Sequence, residues 1–544
     1  MSLAPTLQQH LTAPRIVTNM LTLLISILVS AALAARNGHV PQVHTTSGTV
    51  IGHYARNASN VLEFLGIRYA QPTNGSLRFQ APVPFTSDDT YEALNYAPLF
   101  IAEYYLTTKF RACPFNPAPP LPTFPNKSST FDHIYATASG GTGLAFSEDC
   151  LALNVWTSSL SPKVLKPVLV FIHGGRFASG STNNTFYEGQ YVAATGDAVM
   201  VSIELSTSYR LLVFGFPGSP SLPANPALLD QRLALEWVSK NIASFGGDPS
   251  RILMYGQSVG GLSVDYHAFA WPENPIASSL MAISGTAFSW APNTPELSMS
   301  FWNQLSSIVG CGNGTDVKCM QDLPFQTVLN GIKKVPYAPT KTLARPQFQP
   351  TIDEKIVFSD YEVRAAQGRF AKLPYIVGNN NHESGWYRLA AFASNTTLNE
   401  TQWTDFELQA FTCASAQSAS IRLQNNIPVY RYRYFGDWNN TRLYPSSGAY
   451  HLSDLVMWHG PGVGKDLSGI PNARMQNELS REMMGVLIGF AGTGTVAGWD
   501  EYGTGLINVL GRNNSDGVVG VEKEVFDGEC ARFEGDTSLG EGAM

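Results

Sequence analysis

Charge is scarce in this sequence: Asp, Glu, Lys and Arg together make up 14% of its 544 residues, and the formal net charge is −7. Set against 44% apolar residues, so little charge excludes a disordered or coiled-coil chain and leaves a globular one able to bury a large core. Runs rich in Lys and Arg are missing, so there is no electrostatic footprint for nucleic acid, whose binding rests on neutralising phosphates. No C-x-x-C pair occurs, which argues against structural zinc, and neither an internal repeat nor a low-complexity linker divides the chain. Length alone fits either about three ordinary domains or one large α/β unit with inserted loops.

Apolar runs long enough to span a bilayer are also lacking. Met20 to Ala35 is uncharged and mainly apolar, but at about 1.5 Å per residue it reaches roughly 24 Å, whereas a bilayer core is roughly 30 Å thick. Ala32-Leu33-Ala34 supplies an A-x-A cleavage site. Residues 1–35 are therefore expected to be a leader and signal peptide, with Met1 or Met20 as the start and a retained signal anchor as the alternative. With neither a KDEL-type signal nor a hydrophobic tail at the C-terminal end, the expected location is extracellular. In that oxidising setting the six cysteines, Cys113, Cys150, Cys311, Cys319, Cys413 and Cys530, are expected to form three disulfides out of fifteen possible pairings. N-x-S/T acceptors at Asn57, Asn74, Asn126, Asn183, Asn313, Asn395, Asn399, Asn439 and Asn513 fit a glycosylated surface.

From residue 45 to about 510, apolar runs of strand length alternate with helical patterns, which means an α/β protein. Pro167 to His173 and Ala198 to Ile203 are uninterrupted apolar runs of the kind that belong to parallel strands covered on both faces. Asn225-Pro226 then opens a helix in cap and first-position order, Leu235, Val238, Ile242 and Phe245 mark its buried side, and Gly246-Gly247 closes it. A third strand, Arg251 to Tyr255, follows. Between Cys113 and Cys150, prolines mix with Phe115, Leu121, Phe124, Phe131, Ile134 and Tyr135 in a long irregular loop. It reads equally as a surface excursion pinned by a disulfide and as a lid or gorge wall.

Gly256-Gln257-Ser258-Val259-Gly260 is a G-x-S-x-G pattern, weak alone but set here between a strand and a helical stretch. Two glycines in that setting permit a tight turn that exposes Ser258 Oγ and aims the next backbone N–H at the same space. A serine nucleophile needs a base, and the base needs a carboxylate to fix its tautomer, in the chain order Ser, acid, His. After Ser258 come His267, His382, His451 and His459. His267 lies in the helix leaving the turn and is read as structural; spacing leaves His382 and His459 open. His451 follows the last expected strand, Pro428 to Phe435, on a loop that suits a triad histidine. Glu383 sits on a loop after the short strand Tyr375 to Val377, at a carboxyl edge where ligand sites of α/β sheets lie. His173-Gly174-Gly175-Arg176 directly after a strand offers backbone donors for an oxyanion.

These motifs together make the sequence resemble the type-B carboxylesterases, the cholinesterase-like family that includes secreted fungal lipases. The resemblance runs from Gly48-Thr49-Val50-Ile51-Gly52, Phe64 to Ala70 and Leu77-Arg78-Phe79 through Glu148-Asp149-Cys150-Leu151 and Phe245 to Pro249, and covers nearly all of residues 36–544 as one domain. It implies an α/β-hydrolase fold: a central, mostly parallel twisted sheet with helices on both faces and long loop insertions. It also implies Ser258 as nucleophile, Glu383 as acid, His451 as base, and oxyanion donors at Gly175, Arg176 and Val259. The implied disulfides are Cys113–Cys150, Cys311–Cys319 and Cys413–Cys530, and the implied acyl-side residues are Phe177, Phe288 and Trp290.

Several positions depart from the family pattern. Arg176 replaces a glycine or small residue, Glu204 to Ser208 lengthens a loop by about four residues, Leu452 follows His451 where glycine is usual, and Val259 replaces alanine. Gln257 stands where cholinesterases carry glutamate, and no Trp lies between Cys113 and Cys150, so a choline ester is a poor substrate candidate. The expected activity is hydrolysis of a small-molecule or lipid carboxylic ester through an acyl-enzyme, with no metal or cofactor. Its alternatives are a triacylglycerol lipase with the Cys113–Cys150 loop as lid, and a non-catalytic binding module.

Overall fold

Uninterrupted Val/Ile runs have no polar face to show to water, and the structure, a computed structural model, places them in the middle of a large sheet. It describes residues 40–94, 111–140, 145–180, 184–203, 209–337, 343 and 345–533. The leader and signal expected at residues 1–35, the acceptor Asn183 and the segment 204–208 lie outside the described residues. From Val43 onward the described residues form one compact unit.

The main sheet contains β1 (His53–Tyr54), β2 (Leu62–Arg68), β3 (Ala152–Thr157), β4 (Lys166–Ile172), β5 (Val199–Ile203), β6 (Gly247–Gln257), β7 (Ser279–Ile283), β8 (Tyr375–Asn380), β9 (Val429–Tyr434), β10 (Leu506–Leu510) and β11 (Val518–Glu522), in the spatial order β11-β10-β9-β8-β7-β6-β4-β5-β3-β2-β1. From β5 across to β10 all neighbours run parallel; the pairs at both edges are antiparallel. In β4, Val168, Val170 and Ile172 enter the core on one face, and Leu169 and Phe171 enter the core on the other. This period of two explains the unbroken apolar run: both faces are covered.

β9 is not the last strand, as the sequence pattern had it. β10 continues the parallel sheet and β11 closes it. β11 is a short edge strand, Val518-Val519-Gly520-Val521-Glu522, with mostly exposed side chains and a glycine at its centre, so its three valines do not form the unbroken or alternating run that marks a covered strand.

The helices include α1 (Phe131–Ala138), α2 (Pro226–Asn241), α3 (Val259–Ala270), α4 (Ser384–Ala393) and α5 (Arg474–Thr493). The expected irregular loop between Cys113 and Cys150 thus contains a two-turn helix, α1, stabilised where Phe131 stacks on Tyr135 and Phe124 stacks on Phe131. α2 starts at Pro226, but the Asn225 side chain does not cap it: its Nδ2 donates to Thr351 O at 2.8 Å and its Oδ1 accepts from Thr351 N at 2.8 Å. A tertiary contact thereby displaces the local one. Disulfides join Cys113 to Cys150, Cys311 to Cys319 and Cys413 to Cys530. No helix among the described residues is long and apolar enough to cross a membrane.

After β4 the chain crosses to β5 on one side, then returns to β6 on the other. That reversal opens a crevice at the carboxyl ends of β4 and β6, where α/β sheets bind ligands. Gly256 of β6 is level with Ile172 of β4, and Gln257 with Ile283 of β7, so the residues following these strands emerge side by side.

Candidate active site

Ser258 occupies the junction between β6 and α3 with φ 59° and ψ −127°, a conformation that costs energy for a residue bearing a Cβ. It is held there by its own N–H donating to Ile283 O at 2.7 Å and by α3 packing directly on the end of β4. A Cβ at Gly260 would overlap the carbonyl oxygen of Ile172, and one at Gly256 would overlap the Gly260 backbone. Both glycines of the pentapeptide are therefore dictated by close backbone approach.

The Glu383 carboxylate is fully buried on the turn between β8 and α4. Its Oε1 accepts from Ser284 Oγ and from Asn380 N, each at 2.7 Å. Its Oε2 accepts from His451 Nδ1 at 2.5 Å. With the Nδ1 proton committed to Glu383, Nε2 of His451 is the acceptor, and the Gln257 side-chain amide donates to it at 3.0 Å. The imidazole lies between the rings of Tyr387 and Phe411, with both centroids 5.1 Å away. The Tyr387 phenol lines the same cavity as Ser258.

The histidines that spacing left open separate here. His459 is buried between Tyr255 Oη, at 2.8 Å from Nε2, and Phe186 O, to which Nδ1 donates at 2.7 Å; burial lowers its pKa to about 4. His267 lies inside α3 against Trp271, with burial lowering its pKa to about 3. His382 is half-buried and faces Glu407 at 3.4 Å. Among the described histidines only His451 meets the Glu383 carboxylate.

The His173-Gly174-Gly175 turn presses against Ser258: a Cβ on Gly174 would stand 2.8 Å from Ser258 Cβ and 2.6 Å from Gln257 Oε1. Gly175 adopts φ 101° and Arg176 φ 59°, which turns this stretch of backbone at the carboxyl end of β4. Val259 is the first residue of α3, so its N–H has no acceptor within the helix. These are the three expected oxyanion positions, gathered around Ser258.

Ser258, His451, Gly175 and Arg176 line one cavity of about 460 Å³. Its walls are Tyr135, Tyr187, Tyr337, Trp386 and Tyr387, with Asn116 to Pro119, Ala138 and Ser139 contributed by the Cys113–Cys150 excursion, which is thus a wall of the crevice. Phe177, Phe288 and Trp290 are not among the lining residues; Phe177 is fully buried against Phe216 at 5.1 Å. Sequence reasoning missed Tyr387, although a residue four positions after Glu383 on a helix shares its face. Burial lowers the Arg176 guanidinium below its ordinary range, with the Tyr387 and Tyr337 phenols counteracting.

Two further charged groups are fully buried. Asp454 accepts from Tyr432 Oη at 2.9 Å, Trp458 Nε1 at 3.2 Å and Asn380 Nδ2 at 3.2 Å; burial and the charge of Glu383 push its pKa up to about 6. Arg210 makes a bidentate pair with Asp230 at 2.9 and 2.7 Å. All the described N-x-S/T acceptor asparagines are exposed.

The sequence model of the carboxylesterase family matches residues 39–412. The chain is 31% identical over 488 residues to a chlorogenic acid esterase of Aspergillus niger, covering 86% of each chain. It is 28% identical over 481 residues to secreted lipase 5 of Gibberella zeae, covering 82% of this chain and 84% of the lipase. It is also 27% identical over 518 residues to an acetylcholinesterase of Bungarus fasciatus, covering 85% of this chain and 80% of the relative.

Proposed function

The chain belongs to the carboxylesterase family of α/β-hydrolase fold and is a carboxylic ester hydrolase, and from that premise we propose that it is a secreted serine enzyme working through Ser258, His451 and Glu383. The observation that carries this reading is the 2.5 Å bond from His451 Nδ1 to Glu383 Oε2, on a histidine that shares a cavity with a serine in the strained turn. That bond selects the tautomer whose Nε2 is free of its proton and able to take another.

In the proposed cycle, the substrate ester enters the cavity and His451 exchanges Gln257 for the Ser258 hydroxyl. As Ser258 Oγ bonds to the carbonyl carbon, its proton passes to His451 Nε2, and the new oxyanion accepts from the N–H groups of Gly175, Arg176 and Val259. The carbon–oxygen bond to the alcohol then breaks, with His451 returning the proton to the leaving oxygen. Water, deprotonated by the same nitrogen, attacks the acyl carbon and releases Ser258. Glu383 stays ionised and stabilises the imidazolium.

Secretion is supported by three disulfides and by the exposed acceptor asparagines. Residues 36–544 are proposed to act as a single domain. A fluorophosphonate probe is expected to label the parent protein stoichiometrically at Ser258, mapped by mass spectrometry, and to leave Ser258→Ala unlabelled. Absence of labelling on folded parent protein would transfer the site to a non-catalytic binding role.

The lining also bears on the substrate. Four phenols, an indole, and the cations of Arg176 and Lys333 stand among Leu212, Ile332, Leu389 and Leu452, a compact wall in which aromatic and polar groups interrupt the aliphatic ones. Such a cavity favours compact, aromatic esters over long acyl chains, and chlorogenic acid, named in the Aspergillus relative, is the natural soluble substrate to test. We expect kcat/KM for p-nitrophenyl butyrate to exceed that for the palmitate ester by at least about tenfold, an interval of roughly 1.4 kcal/mol. Equal or greater rates on palmitate would favour the lipase reading.

A further inference from the structure

The cavity places one more hydroxyl beside the nucleophile than acyl transfer through Ser258, His451 and Glu383 employs. Tyr387 lies one turn after Glu383, so α4 presents both side chains to the crevice: the carboxylate reaches His451 Nδ1 and the phenol lines the cavity beside Ser258. Its ring is fixed from several sides, edge-on to Phe406 at 4.9 Å, beside Phe411 at 5.8 Å and against His451 at 5.1 Å. The residue is almost fully buried yet lines the cavity, so its oxygen is placed by packing rather than by solvent. Meanwhile His451 Nε2 is engaged by the Gln257 amide in the resting structure, and the phenol shares the cavity with the serine side chain.

We propose that Tyr387 is a further catalytic residue, a phenol that donates its O–H to Ser258 Oγ whenever that oxygen carries developing negative charge. The inference rests on Ser258 being the nucleophile. Charge gathers on Oγ at two points. In acylation, Oγ gives its proton to His451 Nε2 as its electron pair forms the bond to the carbonyl carbon. In deacylation, the bond between the acyl carbon and Oγ breaks, the pair returns to Oγ, and the proton comes back from His451. The Tyr387 proton remains on its own oxygen throughout, so no extra acid or base is consumed. Two features suit the phenol to this task. Burial holds it protonated well above the ordinary phenol range, which keeps it a donor, and the positive charge of Arg176 nearby polarises its O–H. A fixed donor aimed at an oxygen that becomes charged only in transit is stabilising in the transition state more than in the ground state.

Tyr387→Phe deletes the hydroxyl and keeps the ring on His451 and Phe406. With p-nitrophenyl butyrate, kcat is expected to fall about ten- to hundredfold, the effect of one hydrogen bond to a charged group, with KM within about twofold and Tm unchanged. Fluorophosphonate labelling of Ser258 should slow but reach the parent's stoichiometry. Were Tyr387 only a packing surface for His451, Tyr387→Phe would turn over at the parent rate and only Tyr387→Leu would lose activity, and that pattern overturns the proposal. Failure of the parent itself to label at Ser258 would overturn the triad reading, and this inference with it; normal parent labelling beside an unimpaired Tyr387→Phe enzyme overturns this inference alone.

Discussion

Glu383→Gln is expected to fold normally and to lose about 10⁴-fold in kcat, the scale of loss when a triad base is held in the wrong tautomer. The reason is specific to this site. Ser284 Oγ and Asn380 N both donate to Glu383 Oε1, so a glutamine here must turn its carbonyl oxygen toward them. Its NH2 group then faces His451 Nδ1, where the carboxylate oxygen now accepts at 2.5 Å. To avoid opposing donors, Nδ1 must become an acceptor and the ring proton must move to Nε2, the nitrogen that has to receive the Ser258 proton. Steady-state rates on p-nitrophenyl butyrate, with thermal melting as the control for folding, test this. A kcat within a hundredfold of the parent would mean that Glu383 does not set the tautomer.

Gly260→Ala should produce the largest effect on stability. The added methyl would overlap Ile172 O and stand 2.7 Å from His173 O, both backbone atoms of the sheet and the glycine turn, which no rotamer change can relieve. α3 would have to lift from the end of β4, opening the core beneath it and dragging Ser258 and Val259 out of place. We expect a loss of more than about 3 kcal/mol, seen as a fall in Tm and in soluble yield, together with loss of activity. Gly485→Ala gives the contrast: on an exposed face of α5, with open space around its Cα, the same methyl should stabilise by roughly 0.5–1 kcal/mol through helix propensity. Parent-like melting of Gly260→Ala would show that α3 does not need close contact with β4.

The chemistry of the site was legible along the chain because each of its parts is local. A strand, two glycines and a serine make the turn; an H-G-G turn after a strand makes backbone donors; a glutamate and a histidine follow on loops in the right order. The unbroken Val/Ile runs of β4 and β5 likewise announce a sheet covered on both faces, since nothing else tolerates them. What failed to read was decided by partners distant in sequence. Asn225 has the form of a helix cap, yet Thr351 recruits its side chain. β11 has only a short valine run broken by Gly520, and it is placed by antiparallel pairing with β10 and by Val518 packing on the core.

The sequence by itself determined the fold class, the covered sheet and the candidate nucleophile, acid and base, because periodicity, turn glycines and loop position are short-range properties of the chain. Only the tertiary structure decided which histidine meets Glu383, which aromatic rings surround the serine, that Tyr387 shares its cavity, and that Gln257 engages His451 at rest. Those contacts join residues far apart in the chain, 194 positions in the case of Gln257 and His451. They come together only where the chain reverses across β4 and brings several strand ends to one crevice.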